Sequence, residues 1–283
     1  MKTIELKKTA SIARSRIILN SHKTGTPHLG SCLSCVDILI ALYFSKLNIN
    51  PKNPKSQSRD RFILSKGHGA AALFQILAMK GFYPEKLLND YWEDGSLFAE
   101  HPPSPDYLPG IEAATGSLGH GLSIGLGMAL SSRISGNKFN VYVLLGDGEC
   151  NEGSIWEAAT MAVAQKIDNL TIFVDANKWQ ATDRSADLVG SKSLKDKWKS
   201  FGWNSSEVNG NDMEEILNAL SKPSLKGTPN AIMLNTIKGK GVSFMEDDNN
   251  WHYRIPNMEE VSLAFKELGI KLWEMHLLKK LLH

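Results

Sequence analysis

Two stretches of this chain, residues 140–146 (NVYVLLG) and 170–177 (LTIFVDAN), are built from valine, isoleucine, leucine and aromatics with little polar alternation. A strand with one wet face alternates apolar and polar residues, whereas a strand with none is covered on both sides, as inside a parallel sheet. Between them, GSIWEAATMAVAQKI sets Ile155, Ala158, Ala159, Ala162 and Ile167 at spacings that suit a helix packed on that sheet. The unit reads as strand, helix, strand with a right-handed crossover. Further apolar runs at 61–67 (RFILSKG) and 230–239 (NAIMLNTIKG) read as strands ending in glycine-bearing loops. EAATGSLGHGLSIGLGMALSS reads as a loop feeding a helix whose small residues allow close packing. No repeat, low-complexity tract or linker interrupts the alternation. The expectation is one doubly wound α/β domain over residues 1–267, a mainly parallel sheet with helices on both faces, followed by a helical tail at 268–283.

Several function classes are disfavoured at this point. The formal net charge is +2 with both signs interspersed, so no face reads as a footprint for nucleic acid. No apolar run approaches the roughly 20 residues of a membrane span. The Arg- and Ser-containing start has some transit-peptide character, but Ile12, Ile17, Ile18 and Leu19 suit a helix, and a cytoplasmic location is expected. Three cysteines are too few for a disulfide scaffold. Cys32-Leu33-Ser34-Cys35 has redox or zinc spacing, but no second pair exists, and it opens the apolar run Val36, Ile38, Leu39, Ile40, Leu42. Packing within a helix is the expected role of these cysteines.

In doubly wound folds, ligands sit beyond the carboxyl ends of the strands. Gly146-Asp147-Gly148 falls there, after one strand and before a helix, and Asn177 ends the next strand thirty residues on. If the two strands are neighbours, a carboxylate and a carboxamide converge on one point. Such oxygen donors suit a hard cation like Mg²⁺, which takes its remaining coordination from water and phosphate. The glycines let the backbone turn and approach a bulky anion. A unit-charge pair 4 Å apart gains roughly 4 kcal/mol at an effective dielectric near 20, against about 0.3 to 1 kcal/mol for a helix terminus. The cation would therefore dominate phosphate binding. Gly-Asp-Gly alone reads as a turn; paired with Asn177 it reads as a diphosphate signal.

At these residues the sequence resembles the thiamine diphosphate enzymes, and within them the amino-terminal section of transketolase, colinearly from about residue 10 to 267. LSKGHGAAALF, HPPSPDYLPGIEAATGSLGHGL and TIKGKGVSFMEDDNNWH resemble three further family segments in the same order. The resemblance implies that Asp147, Asn177 and the Trp179 carbonyl ligate Mg²⁺ or Ca²⁺. It implies thiamine diphosphate contacts from His68, Gly116, Ser117, Leu118, Gly146, Gly148, Glu149, Asn177 and His252. His28, His101 and His252 would face the sugar hydroxyls and the reacting carbonyl, and Glu152 would join a network between paired sites. The cofactor supplies a carbon nucleophile, while imidazoles orient groups and move protons near neutral pH. His22, His276 and His283 are expected to be ordinary surface or loop residues, and His120 is left open.

The resemblance also implies that a separate partner subunit with the pyrimidine-binding domain completes the site, in an α2β2 assembly. The activity would be ketol transfer between sugars or sugar phosphates. PHLG and WHY depart from the family's usual Gly-His-(Pro/Ile)-Gly and Trp-His-Gly, so Tyr253 is expected to crowd the substrate mouth. Leu272, Met275, Leu278 and Leu282 form an apolar stripe beside Lys279 and Lys280, read as a docking helix at a subunit contact, with a membrane-surface helix as the alternative. Alternatives are an alpha subunit of a 2-oxo acid dehydrogenase, a deoxyxylulose phosphate synthase-like chain, or a non-catalytic cofactor-binding module.

Overall fold

In the computed structural model, which describes residues 1–189 and 193–270, five parallel strands form one sheet in the order β1-β2-β3-β5-β4. They are β1 Arg61–Leu64, β2 Val141–Gly146, β3 Leu170–Ala176, β4 Asn204–Asn209 and β5 Asn230–Asn235. The helices are α1 Thr3–Thr24, α2 Leu29–Ser34, α3 Val36–Ala41, α4 Ala70–Lys80, α5 His120–Ser135, α6 Gly153–Ala164, α7 Ser185–Val189, α8 Leu194–Ser200, α9 Met213–Ser221 and α10 Met258–Glu267.

Strand side chains point alternately to the two faces, and both faces are apolar here. Phe62, Leu64, Tyr142, Leu144, Phe173, Ile232 and Leu234 join a core shared with α1 to α4, α9 and α10. Ile63, Val143, Leu145, Ile172, Val174 and Met233 join a second core shared with α5, α6 and α8. The unbroken apolar runs thus have the cause inferred from the sequence, two covers on one sheet.

The strand foreseen at 61–67 stops at Leu64, and the one at 230–239 stops at Asn235, so the residues that follow are free to form loops at the sheet's rim. Strand β4 (NSSEVN) was not foreseen. It is a polar edge strand that pairs only with β5, so the sheet supplies its backbone partners while its side chains stay partly wet.

Helix α5 lies unusually close to the sheet. A Cβ on Gly125 would sit 2.6 Å from Val143 Cγ2, and one on Gly121 would sit 2.9 Å from the backbone Cα of Ser65. The small residues of this helix therefore set its distance from β1 and β2. Cys32 and Cys35 are buried in the first core as expected, and burial pushes their thiols up to about 11 and about 12. Ile270 packs back onto the same core, three residues beyond the expected domain edge. The tail stripe at Leu272, Met275, Leu278 and Leu282 lies outside the described residues, as do His276 and His283.

Gly125→Ala is expected to lower unfolding free energy by about 1 to 3 kcal/mol, because Val143 must yield. Ser123→Ala, on the exposed side of the same helix, is expected to stay within about 0.5 kcal/mol. Urea melts of both variants check the pair; equal effects would mean that α5 can move off the sheet freely.

Candidate active site

The rim of the sheet is organised around an ion pair with almost no solvent contact. Lys66 follows β1 and Asp175 lies near the end of β3, with side chains 1% and 0% exposed. Lys66 Nζ donates to Asp175 Oδ2 and, at 3.0 Å, to the Ser31 carbonyl of α2. Asp175 also accepts from Ser34 Oγ at 2.6 Å, from Asn177 Nδ2 at 3.2 Å and from Thr236 Oγ1. Burial pushes the Asp175 carboxyl up, but Lys66, Ser34 and Thr236 outweigh it and hold it below its ordinary value. Burial likewise lowers the Lys66 ammonium, yet the facing carboxylate more than offsets this and keeps it charged. One carboxylate thereby ties together α2, β1, β3 and β5.

Above this pair, Asp147 and Asn177 stand at neighbouring strand ends, since Gly146 pairs with Asp175 in register. Asp147 Oδ1 accepts from Gly148 N at 2.9 Å, and its Oδ2 accepts from Lys178 N at 3.0 Å and Ser185 Oγ at 2.8 Å. Asn177 Oδ1 accepts from Trp179 N at 3.1 Å. A left-handed Lys178 (φ 71) and a bridge between Trp179 and Arg184 fold the chain back, so that Ser185 returns to Asp147. Arg184 stacks 3.8 Å from the Trp179 ring and pairs with Asp247, which also accepts from the indole at 2.8 Å.

The donor set fits a hard cation. Burial pushes the Asp147 carboxyl up to about 6, with Asp175 adding and the bonds from Ser185 and Gly148 opposing. A nearby divalent charge would reverse that penalty. Gln180 Nε2 is buried without a partner among the described residues, and its side chain lies 2.9 Å from where a Gly148 Cβ would be. An unpartnered donor beside Gly148 suits a phosphate oxygen. Gly148 is therefore a position of close approach, whereas a Cβ on Gly146 would meet nothing closer than 3.8 Å. Among the described residues, no group of three or more His, Cys, Asp or Glu could hold a metal.

Glu149, expected on the cofactor, is 2% exposed. Its carboxylate turns inward, accepting from Ser65 Oγ, from Gly119 N at 2.9 Å and from Gly146 N at 3.0 Å. All three donors are rim backbone or rim hydroxyl, so Glu149 clamps β1, β2 and the 115–119 loop together. Burial raises its carboxyl against those bonds.

The histidines expected to act together do meet. The ring centroids of His28 and His252 are 4.7 Å apart, those of His28 and His68 5.5 Å, and those of His68 and His252 6.1 Å. His101 covers Gly116, whose Cβ would lie 3.1 Å from the imidazole. A Cβ on Gly67 would meet Gly116 N at 2.8 Å, so the loops carrying His68 and Gly116 touch through their backbones. Burial lowers His28, His68 and His252, the last to about 3 with help from Lys238, His28 and Lys66. Three neutral imidazoles thus share one cleft at neutral pH. Ser117 and Glu152 are exposed, and Leu118 is half-buried. His22 is held by the Pro256 carbonyl, and His120 is exposed against the Leu118 carbonyl, so neither enters the cluster.

Sequence reasoning missed Lys66, Asp175, Gln180, Glu100 and Lys238. Lys238 is buried with its amine 3.0 Å from His252 Nδ1 and 2.7 Å from Asn249 Oδ1, and burial lowers it to about 8. Lys66 and Lys238 each stand two or three residues past a strand's carboxyl end beside glycine, and that position was the available signal.

Comparison with known proteins agrees with this geometry. The family model for the transketolase thiamine diphosphate binding domain matches residues 7–279. The chain is 41% identical over 262 residues to an apulose-4-phosphate transketolase subunit from Actinobacillus succinogenes, covering 93% of this chain and 95% of that protein. It is 40% identical over 244 residues to 6-deoxy-6-sulfo-D-fructose transketolase subunit SqwG of a Clostridium species, covering 86% and 88%. The crystal structure of Campylobacter jejuni transketolase superposes with a TM-score of 0.87 at 26% identity, over 100% of this chain and 46% of its own. The chain therefore spans less than half the length of that solved transketolase.

Breaking the rim's ion pair on one side strands a buried charge, so Lys66→Met is expected to lose about 3 to 5 kcal/mol. The double variant Lys66→Met/Asp175→Leu is expected to be less damaged than the single one. Chemical denaturation of the two measures the order, and a double variant that is worse by the sum of both single effects would refute the pairing.

Proposed function

The chain belongs to the transketolase family, carrying its thiamine diphosphate-binding domain, and from that premise we propose that it is the amino-terminal subunit of a split transketolase. It moves a two-carbon ketol unit from a ketose or its phosphate to an aldose or its phosphate. A separate carboxy-terminal subunit contributes the pyrimidine-binding domain, in an α2β2 assembly. The observation that carries this reading is the meeting of Asp147 and Asn177 at adjoining strand ends beside three neutral imidazoles.

In this proposal Asp147, Asn177 and the Trp179 carbonyl hold Mg²⁺ or Ca²⁺, and Gly148, Gln180, His68 and Lys238 face the diphosphate. When bound, thiamine diphosphate supplies the nucleophilic carbon that attacks the ketose carbonyl. The protein's part is to orient the sugar and handle protons. His28, His101 and His252 serve the sugar's hydroxyls and carbonyl oxygen, since a neutral imidazole can donate at one nitrogen and accept at the other. Gly116, Ser117 and Leu118 line the cofactor, and the exposed Glu152 is available to the partner chain. The reading treats residues 1–267 as the cofactor domain and includes a cytoplasmic location, supported by three buried free cysteines.

The sugar is the least constrained element, because the two named relatives act on differently substituted ketoses according to their names. Tyr253 bears on it. The residue is 64% exposed, and its ring lies 4.6 Å from that of His252 and 5.9 Å from that of His28, at the edge of the cluster. Tyr253→Gly is expected to change the kcat/KM ratio of a short to a long aldose acceptor by up to about tenfold. Cofactor-induced stabilisation should be unaltered. An unchanged acceptor ratio would remove Tyr253 from the substrate path.

Ketol transfer is expected only when the chain is mixed with its partner, and full transfer by this chain alone would sink the proposal. Thiamine diphosphate with Mg²⁺ at 100-fold Kd should stabilise the complex by about 2.7 kcal/mol, and Asp147→Ala should abolish that gain. The pH dependence has a definite sign. The Asp147 carboxyl is raised to about 6, so in the metal-free fold its protonation contributes stability below the ordinary aspartate range that is lost as pH rises through about 6. Cation binding needs the carboxylate and gains over the same window. Thermal shift with and without Mg²⁺ between pH 5 and pH 8 should therefore show the metal's effect growing with pH.

A further inference from the structure

Four side chains from three separate segments form an unbroken hydrogen-bonded row. Lys238 Nζ lies 3.0 Å from His252 Nδ1, His252 Nε2 lies 3.2 Å from His28 Nδ1, and His28 Nε2 lies 2.7 Å from Glu100 Oε1. The two ends have opposite chemistry. An ammonium only donates and a carboxylate only accepts, and Lys238 also donates to Asn249 Oδ1 at 2.7 Å, as an ammonium must. Each imidazole between them therefore has one consistent arrangement, accepting at Nδ1 and donating at Nε2. Reversing the row would require a neutral lysine and a protonated glutamate at once.

We propose that Glu100 is the positioning residue of this site: by accepting from His28 Nε2–H it fixes the tautomer of His28 and, through it, of His252, making His28 Nδ1 the proton acceptor of the cleft. A carboxylate behind an imidazole both orients the ring and stabilises the imidazolium that forms. The step balances without any outside reagent. The His252 Nε2–H bond breaks as His28 Nδ1–H forms, and the Lys238 Nζ–H bond breaks as His252 Nδ1–H forms. One positive charge has then moved from the buried amine to His28, beside the Glu100 carboxylate, whose side chain is 32% exposed. Burial works in the same direction, since it weakens the Lys238 proton and keeps His28 and His252 neutral at the start. His28 is faced by Glu100 and His101 from one loop, by His68 from another, and by His252, Tyr253 and Lys238 from the segment after β5. Of these groups, Glu100 alone is a carboxylate. The tautomers follow from geometry alone, while the use of the relay in turnover rests on the ketol-transfer reading.

Long-range ¹H–¹⁵N spectra of the full chain labelled at histidine, assigned with His28→Asn and His252→Asn, test the assignment directly. At pH 7.5 both rings should be neutral and protonated at Nε2. Glu100→Ala should reduce the His28 tautomer ratio by about tenfold, the worth of a charged hydrogen bond. Glu100→Gln, which keeps an acceptor and loses the charge, should retain the tautomer and lower the His28 pKa. In the complex with its partner, the acid limb of kcat/KM should move to lower pH in Glu100→Gln, in step with that titration. A wild-type His28 protonated at Nδ1, or Glu100 variants whose His28 tautomer and titration both match wild type, would overturn the proposal. The expected tautomers in a chain that transfers no ketol unit even when mixed with its partner would support the assignment and refute the functional reading.

Discussion

Asp175 is the constraint on which the rest of the rim depends. A carboxylate at the end of a central parallel strand is surrounded by apolar strands and helices, and an isolated charge there would be prohibitive. The fold places four donors on it, from Lys66, Ser34, Asn177 and Thr236. Each donor belongs to a different segment, and three of those segments go on to carry site residues. Lys66 leads to His68, Asn177 bonds Trp179, and Thr236 leads to Lys238. The pair's net contribution to stability is small by the usual balance of desolvation against attraction. Its effect is on geometry, because satisfying Asp175 requires the ends of β1, β3 and β5 to adopt one mutual arrangement. Glu149 repeats the device on the other side of β2, joining Ser65, Gly119 and Gly146.

These two buried carboxylates also mark where the sequence stopped being legible. The apolar strands could be read because covering both faces leaves a continuous run, and Asp147 and Asn177 because strand ends are where ligands gather. Nothing local distinguishes Asp147, which is buried but borders a cavity at the rim, from Glu149 and Asp175, whose carboxylates are taken up inside the fold. The direction of each follows from the partners that approach, and those lie far off in the chain: Lys66 is 109 residues from Asp175, and Ser65 is 84 from Glu149. Strand β4 escaped for a related reason. Its composition is that of a loop, and it becomes a strand because β5 offers an open edge. The glycines of α5 could be read as close packing, whereas which atoms they would strike, Val143 and Ser65, depended on the register of β1 and β2.

The electrostatics of the rim are asymmetric. Lys66 is neutralised by Asp175 at contact distance, while Lys238 faces a histidine and an asparagine and has only distant carboxylates to oppose its burial. Asp147 is in the opposite condition, a buried carboxyl whose partners are neutral donors. The rim thus carries an under-compensated carboxyl at Asp147 and an under-compensated amine at Lys238. In the proposed function, a diphosphate with a divalent cation would supply both missing charges, which a neutral sugar or a simple phosphate would not. The same field explains why the three imidazoles are neutral, for two buried ammonium groups and mutual repulsion add to desolvation.

Backbone as well as side chain holds His28 against His252, although 224 residues separate them. His28 N donates to the His252 carbonyl at 2.7 Å, and Gly239 N donates to the Gly30 carbonyl at 2.9 Å. His28 itself sits in the left-handed region (φ 65) at the start of α2, a conformation that a non-glycine residue adopts only when its surroundings impose it. A Cβ on Gly30 would lie 3.0 Å from Lys238 Cγ and 3.4 Å from the Trp251 carbonyl, so the close seating of the 236–252 segment on α2 depends on glycine there. The left-handed His28 is thus held by contacts from the segment that follows the last strand. The geometry of the imidazole cluster therefore depends on how the 236–252 segment seats on α2, and the spacing of its rings is set by backbone as much as by side chains.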